Sequence, residues 1–372
     1  MKTVLPRQEF QDALGAITSL TGGRTTKPIL ACVKITATKK TVELSATDGE
    51  AALRVELPAL STAKEGTAVV AADRLLSIVR EMTDVELAIE SDDRHCTIKG
   101  EGSEFRIYVM NPADFSPVPE FDGEGDLVVD GALLRRMIAM TIYAAARETS
   151  RYAINGVLWQ KQGKKLFLVA TDGRRLARSG GDIRASSSGD FEAIVPAKAL
   201  NVFERVFTAP KTEEDWRVDI KVAPNQILLR SGHRMLATVL VEGHFPSYKE
   251  VIPESNDKRA GIRREDFIAA VRKAALLTTE DSRAVRLSFQ KNQLVLTSSA
   301  PDQGDARVQV AIGFQGSPID IGFNPVFLND ALRAAPFETV FFEMSESFKP
   351  GVICGEDKHD FLYVVMPVSL QN

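Results

Sequence analysis

The sequence predicts an α+β fold assembled by internal repetition: three tandem domains, each a pair of strand-helix-strands units. Three observations carry this. The tetrapeptide Ala46-Thr47-Asp48-Gly49 returns as Ala170-Thr171-Asp172-Gly173, one-third of the 372-residue chain later, with apolar alternating runs before and after both copies. A third copy, altered at its turn, lies at 294–305, where Leu294-Val295-Leu296 leads into Pro301-Asp302-Gln303-Gly304. Six segments carry apolar residues at helical spacing and begin near Arg7, Ala71, Gly131, Pro196, Arg264 and Asn324, roughly 60 to 68 residues apart.

A short β-type run precedes each helix, at 2–5, 67–70, 126–129, 193–195, 260–262 and 319–323. About three more runs follow each, of which 226–230 and 340–344 are the clearest. Pro6, Pro196 and Pro325 stand at or beside a first helical turn, where the missing N–H has no intrahelical partner to lose. Pro112, Pro117, Pro119, Pro253 and Pro301 mark loops. The breaker-rich stretches 117–125 and 253–258 suggest domains at 1–125, 126–255 and 256–372, each of ordinary domain size.

Composition narrows the functional class. With 44% hydrophobic residues the chain can bury several cores, and no 18-residue apolar run is present to span a membrane. The start Met1-Lys2-Thr3-Val4-Leu5-Pro6 does not read as a secretory signal, and the expected location is the cytoplasm. Cys32, Cys96 and Cys354, odd in number and far apart, read as buried thiols in a reducing compartment. A net charge of −4 disfavours a generally basic nucleic-acid binder but not one with cations confined to one surface.

No catalytic constellation emerges. Gly100-x-Gly102 and Gly123-x-Gly125 lack the third glycine of a dinucleotide loop, with Phe105 and Val128 standing there. Gly163-Lys164-Lys165 lacks P-loop spacing and reads as a hairpin turn. His95, His233, His244 and His359 share no metal-ligand spacing. Asp48 and Asp172 sit in identical Thr-Asp-Gly contexts, in which the carboxylate bonds backbone N–H groups and the glycine takes positive φ. No catalytic residue, metal site or cofactor is expected.

Several segments, in order and in register, resemble one family. They are Ser150-Arg151-Tyr152-Ala153-Ile154-Asn155-Gly156-Val157, the turn 170–177, Gly243-His244-Phe245-Pro246-Ser247-Tyr248-Lys249-Glu250-Val251-Ile252-Pro253 and Tyr363-Val364-Val365-Met366-Pro367-Val368. With 22–30 and Ala284-Val285-Arg286-Leu287, these resemble the bacterial DNA polymerase III β subunits, the sliding clamps. The resemblance implies clamp domains in a head-to-tail homodimeric ring, helices inside and sheets outside, encircling double-stranded DNA without sequence preference. It implies a non-catalytic processivity factor that tethers the DNA polymerase III alpha subunit, is loaded by a clamp loader, and serves other replication and repair proteins bearing a clamp-binding motif. Helix widths agree: twelve helices at about 10 Å each give a circle about 38 Å across and roughly 28 Å clear, wide enough for a duplex, whereas six leave roughly 9 Å. Two alternatives remain, a clamp-like paralogue with other partners, supported only by the departures at Glu250 and Ser369, and a hydrolase using Asp48 or Asp172, against which the absence of a nucleophile–base pairing argues.

The resemblance also implies sites. Arg24, Arg74 and Lys198 match basic DNA-contacting positions; Arg135, Arg136, Arg147, Arg205, Arg272 and Lys273 are further candidate cations, while Asp73 and Glu148 stand where basic or amide residues are common. In the fourth helix Lys198, Asn201 and Arg205 form a polar stripe opposite Leu200, Phe203 and Phe207. A pocket for a partner motif with glutamine and leucine or phenylalanine anchors would have Ile154, Leu176, Pro246, Val251, Val364 and Met366 as its apolar floor. Thr171, Gly173, Arg174, Arg175, Asn324, Phe327, Pro367 and Val368 would surround it. Glu250 and Ser369 depart from the arginines usual at their positions, and Gln371-Asn372 extend past the usual end. Leu276 and Leu277 match the dimer interface.

Overall fold

The computed structural model describes residues 1–23, 25–147, 152–210, 215–278, 284–300, 303–358 and 360–370. Six repeats follow one another. The first runs β1 (Lys2–Pro6), α1 (Arg7–Thr21), β2 (Cys32–Ala37), β3 (Thr41–Thr47), β4 (Ala51–Pro58) and short β5 (Ser61–Lys64). The second has β6 (Gly66–Ala71), α2 (Ala72–Glu81), β7 (Glu86–Ser91), β8 (His95–Lys99) and β9 (Glu104–Tyr108). The third has β10 (Leu127–Asp130), α3 (Gly131–Ala139), β11 (Gly156–Gln162), β12 (Lys165–Thr171), β13 (Arg175–Asp182) and short β14 (Ala185–Ser186). The fourth has β15 (Phe191–Pro196), α4 (Ala197–Val206), β16 (Arg217–Val222), β17 (Gln226–Ser231) and β18 (Arg234–Val239). The fifth has β19 (Lys258–Arg263), α5 (Arg264–Ala274), β20 (Val285–Gln290), β21 (Gln293–Ala300), β22 (Gly304–Ala311) and short β23 (Gly313–Gln315). The sixth has β24 (Ile319–Phe323), α6 (Pro325–Ala334), β25 (Thr339–Met344), β26 (Gly351–Cys354) and β27 (Phe361–Val365). Every helix begins within one residue of its expected start. The short strands β5, β14 and β23 were not legible as strands, being polar or glycine-bearing and largely exposed.

Pairing reveals what periodicity does not. The leading strand of each repeat joins the sheet of the other repeat in its pair: β1 with β7, β6 with β2, β10 with β16, β15 with β11, β19 with β25 and β24 with β20. Two further antiparallel joints, β18 to β4 and β13 to β27, fuse these sheets. The result is two nine-stranded sheets, ordered β14-β10-β16-β17-β18-β4-β3-β2-β6 and β15-β11-β12-β13-β27-β26-β25-β19-β23. A five-stranded sheet, β5-β1-β7-β8-β9, and a four-stranded sheet, β22-β21-β20-β24, complete the set. The chain divides into two compact units. One holds 1–132, 184–188 and 198–240, with the five-stranded sheet and the first nine-stranded sheet; the other holds 133–183, 189–197 and 241–372, with the remaining two.

The helices carry the apolar stripes that the sequence shows. In α4, Ala199, Leu200, Val202, Phe203 and Val206 are buried while Lys198, Asn201 and Arg205 are exposed. The Phe203 ring stacks on Phe207 at 4.6 Å between centroids. Asn324 caps α6, its side-chain oxygen accepting from the Val326 N–H at 2.9 Å ahead of Pro325 at the first helical position. The three cysteines are free and buried, and burial pushes Cys96 up to about 12 and Cys354 to about 11, so these thiols stay protonated near neutrality.

Both Thr-Asp-Gly turns have the expected geometry, nearly bond for bond. Asp48 Oδ1 accepts from the N–H groups of Glu50 and Ala51 at 3.0 and 2.8 Å; Asp172 Oδ1 accepts from Arg174 and Arg175 at 3.0 and 3.1 Å. Thr47 and Thr171 each accept from the glycine N–H at 3.1 Å and donate across the turn, to the carbonyls of Ala51 and Arg175. Gly49 and Gly173 take φ of 96° and 86°, conformations that cost a side chain energy. Gly163 turns the β11–β12 hairpin at φ 56°, as its spacing predicts.

The two faces of α4 should respond differently to truncation. Phe203→Ala should destabilise the protein by about 3–5 kcal/mol, whereas Arg205→Ala should stay within about 0.5 kcal/mol. Urea denaturation followed by circular dichroism tests this, and equal losses in the two variants would refute the assigned orientation of the helix.

Candidate functional site

Two groups of side chains carry functional potential, cations on exposed helix faces, and a groove of apolar and charged residues together with the polar network around Arg175. Arg74 on α2, Arg135 and Arg136 on α3, Arg147 beyond the 3₁₀ turn Ile142–Ala144, and Arg205 on α4 are all exposed. None forms an ion pair among the described residues. Arg24 lies outside the described residues, as does Glu148.

Lys198 differs from the other cations. Its Nζ lies 2.5 Å from Asp48 Oδ2, so an α4 ammonium is held against the β3–β4 turn. Burial of Asp48 works against its charge, but the Ala51 N–H, the Lys198 ammonium and the Glu50 N–H outweigh it, and the pKa is lowered. The turn reading of Asp48 thus accounts for only one of its oxygens. The ion pair joins residues 150 apart in sequence, and no local pattern announces it.

The second turn shows the same device with another partner. The Arg175 guanidinium lies 3.0 Å from Asp172 and 2.7 Å from Asp330, donates to the Tyr143 carbonyl at 2.8 Å, and stacks over the Phe327 ring at 4.4 Å. Burial opposes its charge, yet Asp330, Tyr363 and Asp172 raise its pKa. Tyr363 donates to the Phe327 carbonyl at 2.9 Å, and burial drives its pKa up. Sequence reasoning set Arg175 at a pocket edge; here its guanidinium is engaged within the fold, because two carboxylates and a carbonyl converge on it. Tyr143 and Asp330 were missed, having no motif of their own.

The residues expected to form a partner pocket separate into three kinds of position. Leu176 and Val364, each 2% exposed, belong to a buried cluster with Tyr248, Leu158 and Leu362, against which Phe245 and Ile252 pack. Tyr248 is tied into it by a 2.9 Å hydrogen bond to Gln160. Val251 and Met366, 47% and 41% exposed, line a groove of about 560 Å³ with Pro253, Pro350 and Glu250. Ile154, Pro246, Pro367 and Val368 are half-buried, while Gly173 and Arg174 are exposed. Two polar members have local duties, Thr171 closing its turn and Asn324 capping α6, and the backbone N–H of Val368 bonds the Gly322 carbonyl at 2.9 Å.

A third surface was only partly foreseen. Leu276, in the 3₁₀ turn Ala275–Leu277 that ends α5, is 76% exposed, and Leu277 is half-buried. In the five-stranded sheet, the edge strand β9 exposes Tyr108 by 82% and Phe105 by 38%. β9 pairs with β8 on one side only, and an exposed tyrosine on a strand with one open edge is unusual for an isolated chain. The alternation of 104–108 held that signal in the sequence, but only pairing shows that the strand is an edge.

No group of three or more His, Cys, Asp or Glu side chains suited to a metal occurs among the described residues, and no described helix is long and apolar enough to cross a membrane.

Known proteins resemble the chain along its whole length. Family models described as the DNA polymerase III beta subunit N-terminal, central and C-terminal domains match residues 1–119, 128–247 and 249–369. The beta sliding clamp of Pseudomonas aeruginosa is 30% identical over 371 residues, 100% of each chain. That of Chlamydia muridarum is 29% identical over 374 residues, again 100% of both. The crystal structure of the P. aeruginosa DNA polymerase III subunit beta matches with a TM-score of 0.92 at 29% identity, covering 100% of each chain. The Bacillus subtilis DNA polymerase sliding clamp reaches 0.93 at 20% identity with the same coverage, a likeness of fold alone.

Because the Asp48 pKa is lowered, its contribution to stability is present above the unfolded carboxylate value of about 3.9 and is lost as pH falls through the folded value. Asp48→Asn should flatten the fall in stability below about pH 5. Thermal melts of both proteins between neutral and acid pH test this, and parallel curves would show that the ion pair contributes nothing.

Proposed function

Because this chain belongs to the DNA polymerase III beta subunit family and is a non-catalytic DNA sliding clamp, we propose that two copies close head to tail around duplex DNA. The observation that carries the reading is a pair of unmatched strand edges. Every repeat ends its set of three long strands at an edge: β4, β9, β13, β18, β22 and β27. Four of these pair with each other, β4 with β18 and β13 with β27, leaving β9 and β22 at sheet edges. An antiparallel joint between β9 of one copy and β22 of another would repeat the two internal joints, and two such joints would close a ring with no exposed edge of this kind. Leu276 and Leu277 follow the helix of the repeat that contains β22, and Tyr108 and Phe105 lie on β9; in this reading they cover one another.

The lumen would be lined by Arg74, Arg135, Arg136, Arg147, Arg205 and Arg24, with Lys198 reaching DNA only if it leaves Asp48. The domains are taken as 1–125, 126–255 and 256–372. The partners are a DNA polymerase, specifically the alpha subunit of DNA polymerase III, a clamp loader, and replication and repair proteins whose linear motif enters the groove at Val251 and Met366 above Leu176 and Val364. Apolar anchors in a concave site, with charged groups beside them, suit a short peptide.

Leu276→Ala with Leu277→Ala should convert dimers to monomers at low micromolar concentration without unfolding the chain, since loss of a buried leucine costs about 2–5 kcal/mol and Leu276 is exposed in the single chain. Analytical ultracentrifugation decides, and a dimeric double variant would move the interface elsewhere. Retention on DNA should be topological: scattered cations on a chain of net charge −4 give weak, salt-sensitive affinity. Protein loaded on nicked circular DNA should survive a high-salt wash and be lost on linearisation, and equal retention on both forms would count against a closed ring.

A further inference from the structure

We propose that the groove at Val251 and Met366 selects linear motifs flanked by lysine or arginine, and that Glu250 and Glu254 set this preference. The inference rests on the reading that this groove receives a peptide. Its apolar lining is Val251, Pro253, Pro350 and Met366, and four carboxylates, Glu250, Glu254, Asp257 and Glu346, share the same lining with two ammonium groups. Both ammonium groups are committed. Lys258, only 8% exposed, holds its Nζ 2.8 Å from Asp257 and 2.8 Å from the Ser345 carbonyl. Lys349 pairs with Glu346 at 2.7 Å. Glu343, close by, has its charge met by Lys358 at 2.6 Å and Arg259 at 3.7 Å.

Two carboxylates are left over. Glu250 and Glu254 are exposed and form no ion pair among the described residues. Lys249 neighbours Glu250 in sequence but does not line the groove. A peptide whose apolar side chain covers Val251 and Met366 must therefore pass two unneutralised negative charges. Basic flanks meet them favourably and acidic flanks are repelled, with an effect that salt screens while leaving the apolar contact in place.

The test uses the intact protein and three synthetic fluorescent peptides sharing a Gln-Leu-Ser-Leu-Phe core, flanked by two lysines, two serines or two glutamates. Anisotropy titrations at low salt should rank them lysine, serine, glutamate, with about five- to tenfold between the extremes. The spread should shrink to about twofold at high salt, where the screening length falls to about 3 Å. Glu250→Arg with Glu254→Arg should reverse the order. A parent protein that binds all three peptides equally, or a double variant that keeps the parent order, overturns the inference. Met366→Ala separates the two levels of the argument: it should weaken all three peptides alike, by tenfold or more. If it does so while the parent shows no ranking, only the charge inference fails. If it changes nothing, or no peptide binds the parent, the groove reading fails and takes this inference with it.

Discussion

A buried backbone N–H or C=O without a partner costs on the order of 1–3 kcal/mol, and each strand at the end of a sheet presents a row of them. This chain answers that constraint by exchange. The leading strand of each repeat leaves its own helix and three strands to complete the sheet of its neighbour, so neither repeat of a pair can bury its apolar face alone. The fused joints β4–β18 and β13–β27 extend the same solution from one pair to the next. Of the sheet edges that remain, β9 carries the most exposed tyrosine, Tyr108, and the repeat that holds β22 carries the most exposed leucine, Leu276.

The repeated Thr-Asp-Gly turn shows how one local device acquires different tertiary duties. In both copies the first carboxylate oxygen and the threonine hydroxyl hold the turn through bonds within four residues. The second oxygen takes a further partner: Asp48 takes the distant Lys198 from α4, while Asp172 takes the neighbouring Arg175, which the distant Asp330 also binds. The strands beside the turns repeat another feature. Arg54 faces Ser45 and Arg178 faces Val169, the same register in two domains, while Arg307 faces Thr297 across a hairpin one residue wider. Their contacts nonetheless differ. Arg54 donates to the carbonyls of Val118 and Pro119, Arg178 lies over the Phe167 ring at 4.6 Å, and Arg307 is exposed along a groove of about 710 Å³.

The candidate sites were legible to different depths. The stripe Lys198, Asn201, Arg205 opposite Leu200 and Phe203 was readable because a helix places every third or fourth residue on one face. The groove residues Val251 and Met366 were singled out by resemblance alone, since a single valine or methionine carries no periodic signal. The Arg175 network and the Lys198–Asp48 pair were not legible, because each joins elements far apart in the chain and charge alone does not say which carboxylate a cation will meet.

By itself, the sequence determined the number of repeats, the start of every helix to within a residue, the two glycine turns and the buried state of the cysteines. All of these follow from spacing and conformational preference over a few residues, which act whatever the rest of the chain does. Tertiary structure decided that leading strands change partners, that two joints build the nine-stranded sheets while the two smaller sheets end at β9 and β22, and which cations remain unpaired among the described residues. Strand pairing depends on which edges meet after the helices have packed, and a hydrogen-bonding edge looks the same in sequence whether its partner is near, distant or in another molecule.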